Sequence, residues 1–391
     1  MKPVVVDMFC GSGGESQGIA WSAQKAGAKI QMYAINHWQR AIETHQANFP
    51  AAEHICRDVQ DINPAEIVTG GHVDLFWGSP ECTQHSPARG GKPINDQKRV
   101  TPFTILEWLN KLTVDRVIIE NVKEFRSWGP LDPATKRPDP KRKGEIFDTY
   151  IAMIRGLGYT VDHRVLNAAD YGAPTARSRL FIQAVKDGSG KSILWPEATH
   201  ARPTPNRTLT RALPRWVPAR DIIDWSQPSE SILSRKRPLA ERTMQRIREG
   251  LARFGGSEFL ICMEHGGRVV SADAPVPTIT TARGGAIGLA QPFIIEYYGN
   301  GKPRSVSAPL PTVTTRDRFA LIEPQQDNGI DVRFRMLTTG ELAAAQSFPG
   351  SYLFTGTKRE IVKQIGNAVC PLMAMALTAG YMREIAGSVM A

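Results

Sequence analysis

The residue best placed for covalent chemistry is Cys82. It stands in Gly78-Ser79-Pro80-Glu81-Cys82-Thr83-Gln84-His85-Ser86, where an apolar strand breaks into a turn. A lone cysteine is more often a small buried hydrophobe, but flanking Pro and Gly point to an exposed, reactive thiol. The Arg89-Gly90-Gly91-Lys92 run that follows suits a basic loop closing over a substrate. A second strand ends in Glu120-Asn121-Val122. A half-buried carboxyl there would hold its proton to higher pH and could donate it; the plainer reading is an exposed strand-end acid. Arg177-Ser178-Arg179 puts two guanidiniums on one face of an extended segment, suited to phosphate and carbonyl oxygens. The plainer reading here is a pair of solvated arginines.

A ligand cleft is marked by a different set. The first strand ends in Asp7-Met8-Phe9-Cys10-Gly11-Ser12-Gly13-Gly14, and a Gly-rich strand-to-helix turn lets backbone approach a ligand closely. The spacing Gly11-x-Gly13-Gly14-x-x-x-Gly18 departs from the dinucleotide fingerprint, and no phosphate-loop lysine follows. A nucleoside needs a flat apolar face for its base and polar groups for its ribose. Asn36-His37-Trp38 after the second strand and Cys56-Arg57-Asp58-Val59 after the third segment place Trp38 and Asp58 to supply them. Core packing and a helix N-cap are the alternatives for these two.

The elements that must position these residues read as alternating strands and helices. Strands are predicted over Val4–Phe9, Ile30–Ile35, Val73–Trp77, Arg116–Ile119, Thr160–Leu166 and Leu180–Val185, rich in Val, Ile and Leu as strands buried on both faces are. Helices are predicted over Glu15–Ala26, Phe103–Lys111 and Glu145–Leu157. This repetition predicts an α/β fold with a doubly wound, mostly parallel sheet, whose strand carboxyl ends form the ligand crevice. After Val185 the pattern changes. Pro, Ser, Thr and Arg dominate to about Pro218, and a helix is predicted over Pro238–Phe254. A short repeat then relates Ser271–Thr281 to Val306–Thr315 through an A-P-x-P-T-x-T-T core, suggesting two similar β-turn elements. Helical pattern returns at Thr339–Ser347 and Lys358–Ile385. The expected layout is a catalytic and cofactor-binding domain over 1–195, a small irregular β-rich insertion over 196–331, and a return to the first domain over 332–391.

Composition sets outer bounds. There are 48 Lys+Arg against 38 Asp+Glu, a net charge of +10 that favours polyanions through counterion release. Part of it lies in Ser127–Lys143, where Lys136, Arg137, Lys141, Arg142 and Lys143 stand among prolines; an exposed, solvated loop is expected, with phosphate contact as the sharper alternative. Five cysteines without C-x-x-C spacing and eight histidines without an H-x-x-x-H pair argue against a disulfide framework and a metal site. No apolar run reads as a membrane span, and a soluble, cytoplasmic monomer without metal is expected.

Taken in order, these motifs resemble those of the cytosine-5 DNA methyltransferases. The parts are Phe9-Cys10-Gly11-Ser12-Gly13, Pro80-Glu81-Cys82, Glu120-Asn121-Val122, Arg177-Ser178-Arg179, Arg335–Glu341 with Gln346–Pro349, and Gln364-Ile365-Gly366-Asn367-Ala368-Val369. The resemblance implies a Rossmann-like methyltransferase with an inserted target-recognition domain acting on double-stranded DNA. It implies S-adenosylmethionine held by Phe9, Gly11, Ser12, Gly13, Gly14, Asn36, His37, Trp38, Asp58, Val59, Pro80, Asn367, Ala368 and Val369. It implies attack of Cys82 on carbon 6 of a flipped-out cytosine, with Glu120 and Asn121 at ring nitrogen 3, Arg179 at the base carbonyl, and Arg177 supporting a loop or phosphate. The sequence departs from the family's usual Pro-Pro-Cys-Gln at Glu81 and Thr83. It departs from Gln-x-Arg-x-Arg at Thr175. The usual ribose-binding acid after the second strand is absent, with Asn36 nearby. A non-catalytic DNA-binding relative and the same chemistry on RNA are the competing readings.

Overall fold

The computed structural model describes residues 2–80, 101–135, 137–202, 213–228, 230–231, 236–238, 241, 257–262, 268–271, 287–290, 293–296, 302–316, 319–326 and 330–390. Cys82, Glu81, Thr83, the Arg89–Lys92 run, all but Ser271 of the first copy of the short repeat and most of the helix expected over Pro238–Phe254 lie outside the described residues.

The first half builds strands β1 (Val4–Met8), β2 (Gln31–Ile35), β3 (Glu53–Ile55), β4 (His72–Val73), β5 (Leu75–Gly78), β6 (Thr113–Val114), β7 (Arg116–Asn121), β8 (Tyr159–Asn167) and β9 (Ser178–Lys186). Seven of them form one sheet in the order β3-β2-β1-β5-β7-β9-β8. All neighbours from β3 to β7 pair parallel, whereas β9 runs antiparallel between β7 and β8. The strand order reverses at β1, so the crevice beyond the carboxyl ends of β1 and β5 is the topological switch point where ligands bind in such sheets.

Alternation along each strand explains why both faces are apolar. Val6, Met8, Phe76, Val117 and Ile119 face one core, together with Ile105, Trp108, Phe147, Tyr150 and Ile154. These last five come from helices α4 (Phe103–Lys111) and α5 (Glu145–Gly156), which follow α1 (Gly14–Ala26), α2 (Gln39–Asn48) and α3 (Pro64–Ile67) in the chain. Val5, Leu75, Trp77, Ile118 and Phe181 face the other core with Ile19 and Ala23 of α1 and with Met373, Leu377 and Tyr381 near the C-terminus. A period of two thus serves two helical layers at once.

The C-terminal region forms α6 (Thr339–Ala345), α7 (Lys358–Asn367) and α8 (Pro371–Met390). The single helical run expected over Lys358–Ile385 is two helices, because Pro371 has no N–H to donate and forces the preceding residues out of helical geometry. Within Lys358–Gly387 a window of helix is apolar enough to cross a membrane by length and composition, and two thirds of it is buried inside the protein. It is a core element here: Ser22 Oγ of α1 bonds Thr378 Oγ1 (2.8 Å) and the Met375 carbonyl (3.0 Å) of α8.

The middle of the chain is antiparallel. One five-stranded sheet runs Glu230–Ser231, Ile330–Met336, Phe319–Gln326, Phe293–Glu296, Pro303–Ser305; a three-stranded sheet runs Arg268–Ser271, Ser257–Cys262, Ile287–Ala290. Val306, Leu310, Val313, Phe319 and Leu321 share a core with Leu337, Leu342, Phe348, Tyr352 and Ile365, so this region packs directly onto α6 and α7. The second copy of the short repeat, Val306–Thr315, is an irregular extended run, and Thr175 bridges Leu310 within it.

Candidate active site

The Gly-rich turn joining β1 to α1 is the centre of the crevice. Phe9 adopts φ 65°, an unfavourable value for a side-chain-bearing residue, and Gly11 and Gly13 continue the left-handed path at 50° and 87°. Two backbone bonds fix the turn, Cys10 N to Ile35 O (3.1 Å) and Gly13 N to Cys10 O (2.8 Å), and Tyr352 Oη donates to the Ser12 carbonyl. Gly14 lies directly under the Ala368–Cys370 turn; a Cβ there would stand 2.2 Å from the Val369 carbonyl oxygen. The chain's last motif is thereby seated against its first. Ala368 and Val369 are buried, and Asn367 is exposed at the end of α7.

The flanking candidates line up along the same rim. Asn36 is buried and its Oδ1 accepts from Trp38 N (2.9 Å), so it shapes the turn after β2. Lys363 Nζ sits 4.2 Å from the centre of the Trp38 ring and covers one of its faces. His37 is exposed. Asp58 caps the short helix Val59–Asp61 by accepting from Gln60 N (3.1 Å), and Val59 is buried behind it. Pro80 closes the rim: its carbonyl accepts from Asn121 Nδ2 (3.3 Å), tying the end of β7 to the segment that leads to Cys82.

At the end of β7, Arg179 Nε stands 3.1 Å from Glu120 Oε1, with both side chains largely buried. The N–H is not aimed at the oxygen, and Arg179 Nε has no hydrogen-bond acceptor among the described residues. Arg179 Nη1 instead donates to the Ser178 carbonyl (2.9 Å). Arg177 is separated from this pair by its surroundings. It is 3% exposed, and its Nη1 donates to the carbonyls of Val313 (3.2 Å) and Gly366 (3.0 Å). It therefore holds the middle region and the last motif against β9, while Arg179 faces the carboxyl. Thr175 does similar work through Oγ1 to the Pro311 carbonyl (2.8 Å).

The structure adds a buried polar network that the motifs do not announce. Ser16 Oγ donates to Asp7 Oδ2; His45 Nε2 contacts Ser16 Oγ (2.9 Å) and His45 Nδ1 contacts His54 Nε2 (2.8 Å). Burial pushes the Asp7 carboxyl up to about 7, against a lowering by the Ser16 bond. Burial holds the His45 imidazole down to about 3, and His54 beside it adds to this. The Glu15 carboxyl, in the first turn of α1, is pushed well up by burial, then by Asp7 and more weakly by Glu120. Cys10 is buried, and burial, Asp7 and Glu15 keep its thiol protonated, so it is unsuited to act as a nucleophile. An acid inside an otherwise apolar strand, Val4-Val5-Val6-Asp7-Met8, is the sequence sign of this network.

An acidic and histidine cluster, His72, Asp74 and Asp115, lies at the opposite, amino end of the sheet. Its members are engaged within the protein: Asp74 Oδ2 accepts from Val4 N (2.8 Å), and Asp115 pairs with Lys191 and with His72 (3.2 Å).

The chain matches the family described as C-5 cytosine-specific DNA methylase over residues 4–382. It is 27% identical over 387 residues to the type II methyltransferase M.SacI of Streptomyces achromogenes, covering 93% of this chain and 89% of that protein. It is 26% identical over 388 residues to the type II methyltransferase M1.HphI of Haemophilus parahaemolyticus, covering 98% and 87%. In fold it is similar to DNMT2 of Spodoptera frugiperda (TM-score 0.57, 15% identity, 97% and 99% of the two chains) and to the Dnmt2 methyltransferase of S. pombe (TM-score 0.55, 14% identity, 98% and 99%). With the family matched along nearly its whole length, the chain belongs to the C-5 cytosine-specific DNA methylases and is a DNA cytosine-5-methyltransferase.

Proposed function

We propose that this enzyme methylates carbon 5 of a cytosine flipped out of a specific duplex DNA sequence, through a covalent bond between Cys82 and carbon 6. The observation that carries the reading is the Glu120–Arg179 pair at the rim of the sheet, with Asn121 bound to the Pro80 carbonyl. Cys82 follows Pro80 by two residues, so chain length alone keeps it within about 7 Å of that anchor.

S-adenosylmethionine, when bound, supplies the electrophilic methyl group. The residues present fit it. Ser12 Oγ is buried beside the turn without a partner among the described residues, and above Gly11 the nearest described atom to an added Cβ is 3.9 Å away. Backbone from Phe9 to Gly14 would receive the amino-acid end of the cofactor. Trp38 would offer its uncovered face to the adenine, and Asp58 would bind the ribose hydroxyls, with Asn36, His37, Val59 and Pro80 shaping the pocket. Asn367, Ala368 and Val369 would close it from the C-terminal side.

Cytosine carbon 5 is a weak nucleophile until the ring is activated. Cys82, as thiolate, adds to carbon 6 and moves electron density to carbon 5. Glu120 hydrogen-bonds or protonates ring nitrogen 3 and so neutralises charge that builds there. Asn121 steadies the strand end, and Arg179 donates to the base carbonyl. After carbon 5 has taken the methyl group it loses its proton to a base, and the thiolate leaves carbon 6. Arg177 supports this arrangement from below. A stacked base cannot reach these groups, so the target must leave the helix. The region over 196–331 reads the flanking sequence in the major groove.

The test uses duplex DNA of mixed sequence, labelled cofactor and a Cys82→Ala variant, with digestion of the product to nucleosides. Label in 5-methyldeoxycytidine that vanishes in the variant is expected. DNA carrying fluorine at carbon 5 should trap a covalent complex with the wild type and not with the variant. Undiminished methylation by Cys82→Ala would rule the covalent route out.

A further inference from the structure

Beside the site, at the same end of the sheet, lies a cleft of about 470 Å³ lined by Lys123, Glu124, Arg126, Ser127, Lys143 and Val165. Its position is set by strand register. Leu180 of β9 pairs with Asn121 of β7 on one side and with Val165 of β8 on the other. The cleft therefore sits about two strand spacings, roughly 10 Å, from Asn121. Its floor is the short helix Lys123–Ser127, which follows the Glu120-Asn121-Val122 segment with one break at Val122.

The wall carrying Lys143 is built and not loosely draped. An added Cβ on Gly129 would stand 2.2 Å from the Arg142 carbonyl oxygen and 3.3 Å from Lys143 Cα, so the two ends of the basic loop touch backbone to backbone. Ile146 N and Phe147 N both donate to the Trp128 carbonyl (3.0 and 3.1 Å), which locks that contact.

The charges divide cleanly. Arg142 is committed to Glu145. Lys123, Arg126 and Lys143 are exposed, and none has an ion-pair or hydrogen-bond partner among the described residues. Glu124 is the one carboxylate in the lining; Ser127 Oγ is spent on the Glu124 carbonyl (2.6 Å). Behind the cleft, His163 packs on Phe147 (5.1 Å), and burial, with Arg126 nearby, lowers the pKa of its imidazole. Three cations against one carboxylate around a partly apolar pocket, with Val165 40% exposed in it, match an anion attached to an apolar body.

We propose that this cleft, through Lys123, Arg126 and Lys143, binds the phosphodiester backbone of the DNA strand that carries the target cytosine. The inference rests on the function proposed above and adds a site to it. Phosphates of one strand follow at about 3.4 Å of axial rise, so a cleft roughly 10 Å from the base at Glu120 lies within a few nucleotides of it. Grip at that distance holds the strand while the target base turns out, and it reads no sequence.

The experiment measures binding of the full chain to a fluorescent duplex of mixed sequence at several salt concentrations. The triple variant Lys123→Gln, Arg126→Gln, Lys143→Gln is compared with wild type and with Lys2→Gln, Lys25→Gln, Lys29→Gln, a matched charge loss at the other end of the sheet. Each neutralised phosphate contributes about −0.9 to the slope of log K against log salt. The cleft variant should lose about 2–3 units of slope and on the order of 10²–10³-fold affinity at 0.1 M salt, with unchanged melting temperature and cofactor affinity. The control should keep the wild-type slope. An unchanged slope in the cleft variant, or an equal loss in the control, overturns the site. If the wild type itself neither binds nor methylates duplex DNA, the proposed function falls and the cleft's assignment falls with it; methylation by wild type separates the two failures.

Discussion

Replacing Gly14 by Ala tests whether the contact between the first and last motifs positions the cofactor. Gly14 is helical, so the added methyl meets no backbone strain and acts through space alone. It would lie 2.2 Å from the Val369 carbonyl oxygen and 3.1 Å from Ala368 Cβ, and real Cβ contacts do not fall under 3.0 Å. The obstructing oxygen is backbone, so the Ala368–Cys370 turn must withdraw from α1 by on the order of 1 Å. Overpacking of this kind costs about 1–3 kcal/mol of stability, while a 1 Å displacement at a reacting centre costs on the order of 10²-fold in rate. Gly18→Ala is the matched control. Its methyl would meet the Pro371 carbonyl at 2.4 Å and Met375 N at 2.5 Å, in the same helix pair but one turn away from the crevice. Both variants should melt lower by similar amounts. Only Gly14→Ala should lose about two orders of magnitude in kcat/KM, with weakened cofactor binding by calorimetry. Equal activity losses in the two variants, or a Gly14→Ala enzyme of normal cofactor affinity, would refute the reasoning.

Two further outcomes follow from buried ionisable groups. Glu341 accepts from Arg335 Nη1 and Nη2 (2.9 and 2.8 Å), from Thr338 N (2.7 Å) and from Asp224 N (2.9 Å). Burial alone would raise its pKa, but these donors outweigh it and hold the carboxyl below its ordinary range. Glu341→Gln should cost about 3–5 kcal/mol at neutral pH by removing the carboxylate from a largely buried guanidinium. Because the folded-state pKa is depressed, the wild-type advantage exists above the unfolded value of 4.5 and disappears as pH falls through the folded one; urea midpoints that stay apart at low pH would contradict this. The Asp7 network gives the opposite sign. With a folded pKa of about 7 against 3.8, Asp7 lowers stability as pH rises between these values, whereas His45, at about 3 against 6.5, lowers it as pH falls between its own. Between pH 4 and 6.5 the two slopes oppose each other. Asp7→Asn leaves His45 alone, so its urea midpoint relative to wild type should climb through that window; a constant difference would be the contrary result.

The sequence by itself determined the sheet and the candidate residues of the site. Apolar strands such as Val4–Met8 and Arg116–Asn121 leave no polar face to expose, so helices must cover both sides, and the Gly-rich turn and Glu120 fall at the carboxyl ends of β1 and β7 by connectivity alone, whereas Arg179 opens β9 and reaches that end only because β9 runs antiparallel. Local chemistry also explains Asp58 as a cap and Thr338 with Glu341 as a capping box. Tertiary structure decided the rest. Arg177 and Arg179 have the same type and adjacent registers, yet one is buried against carbonyls 136 and 189 residues away while the other faces Glu120. Periodicity alone carries a helix through Ala368–Cys370; Pro371 marks the break locally, and only the fold shows that the broken turn is seated on Gly14. The antiparallel setting of β9 and the protonation of Asp7 arise only when distant segments meet. Strand direction is a property of pairing, and a pKa is a property of the surroundings, so neither is written in the residues that carry it.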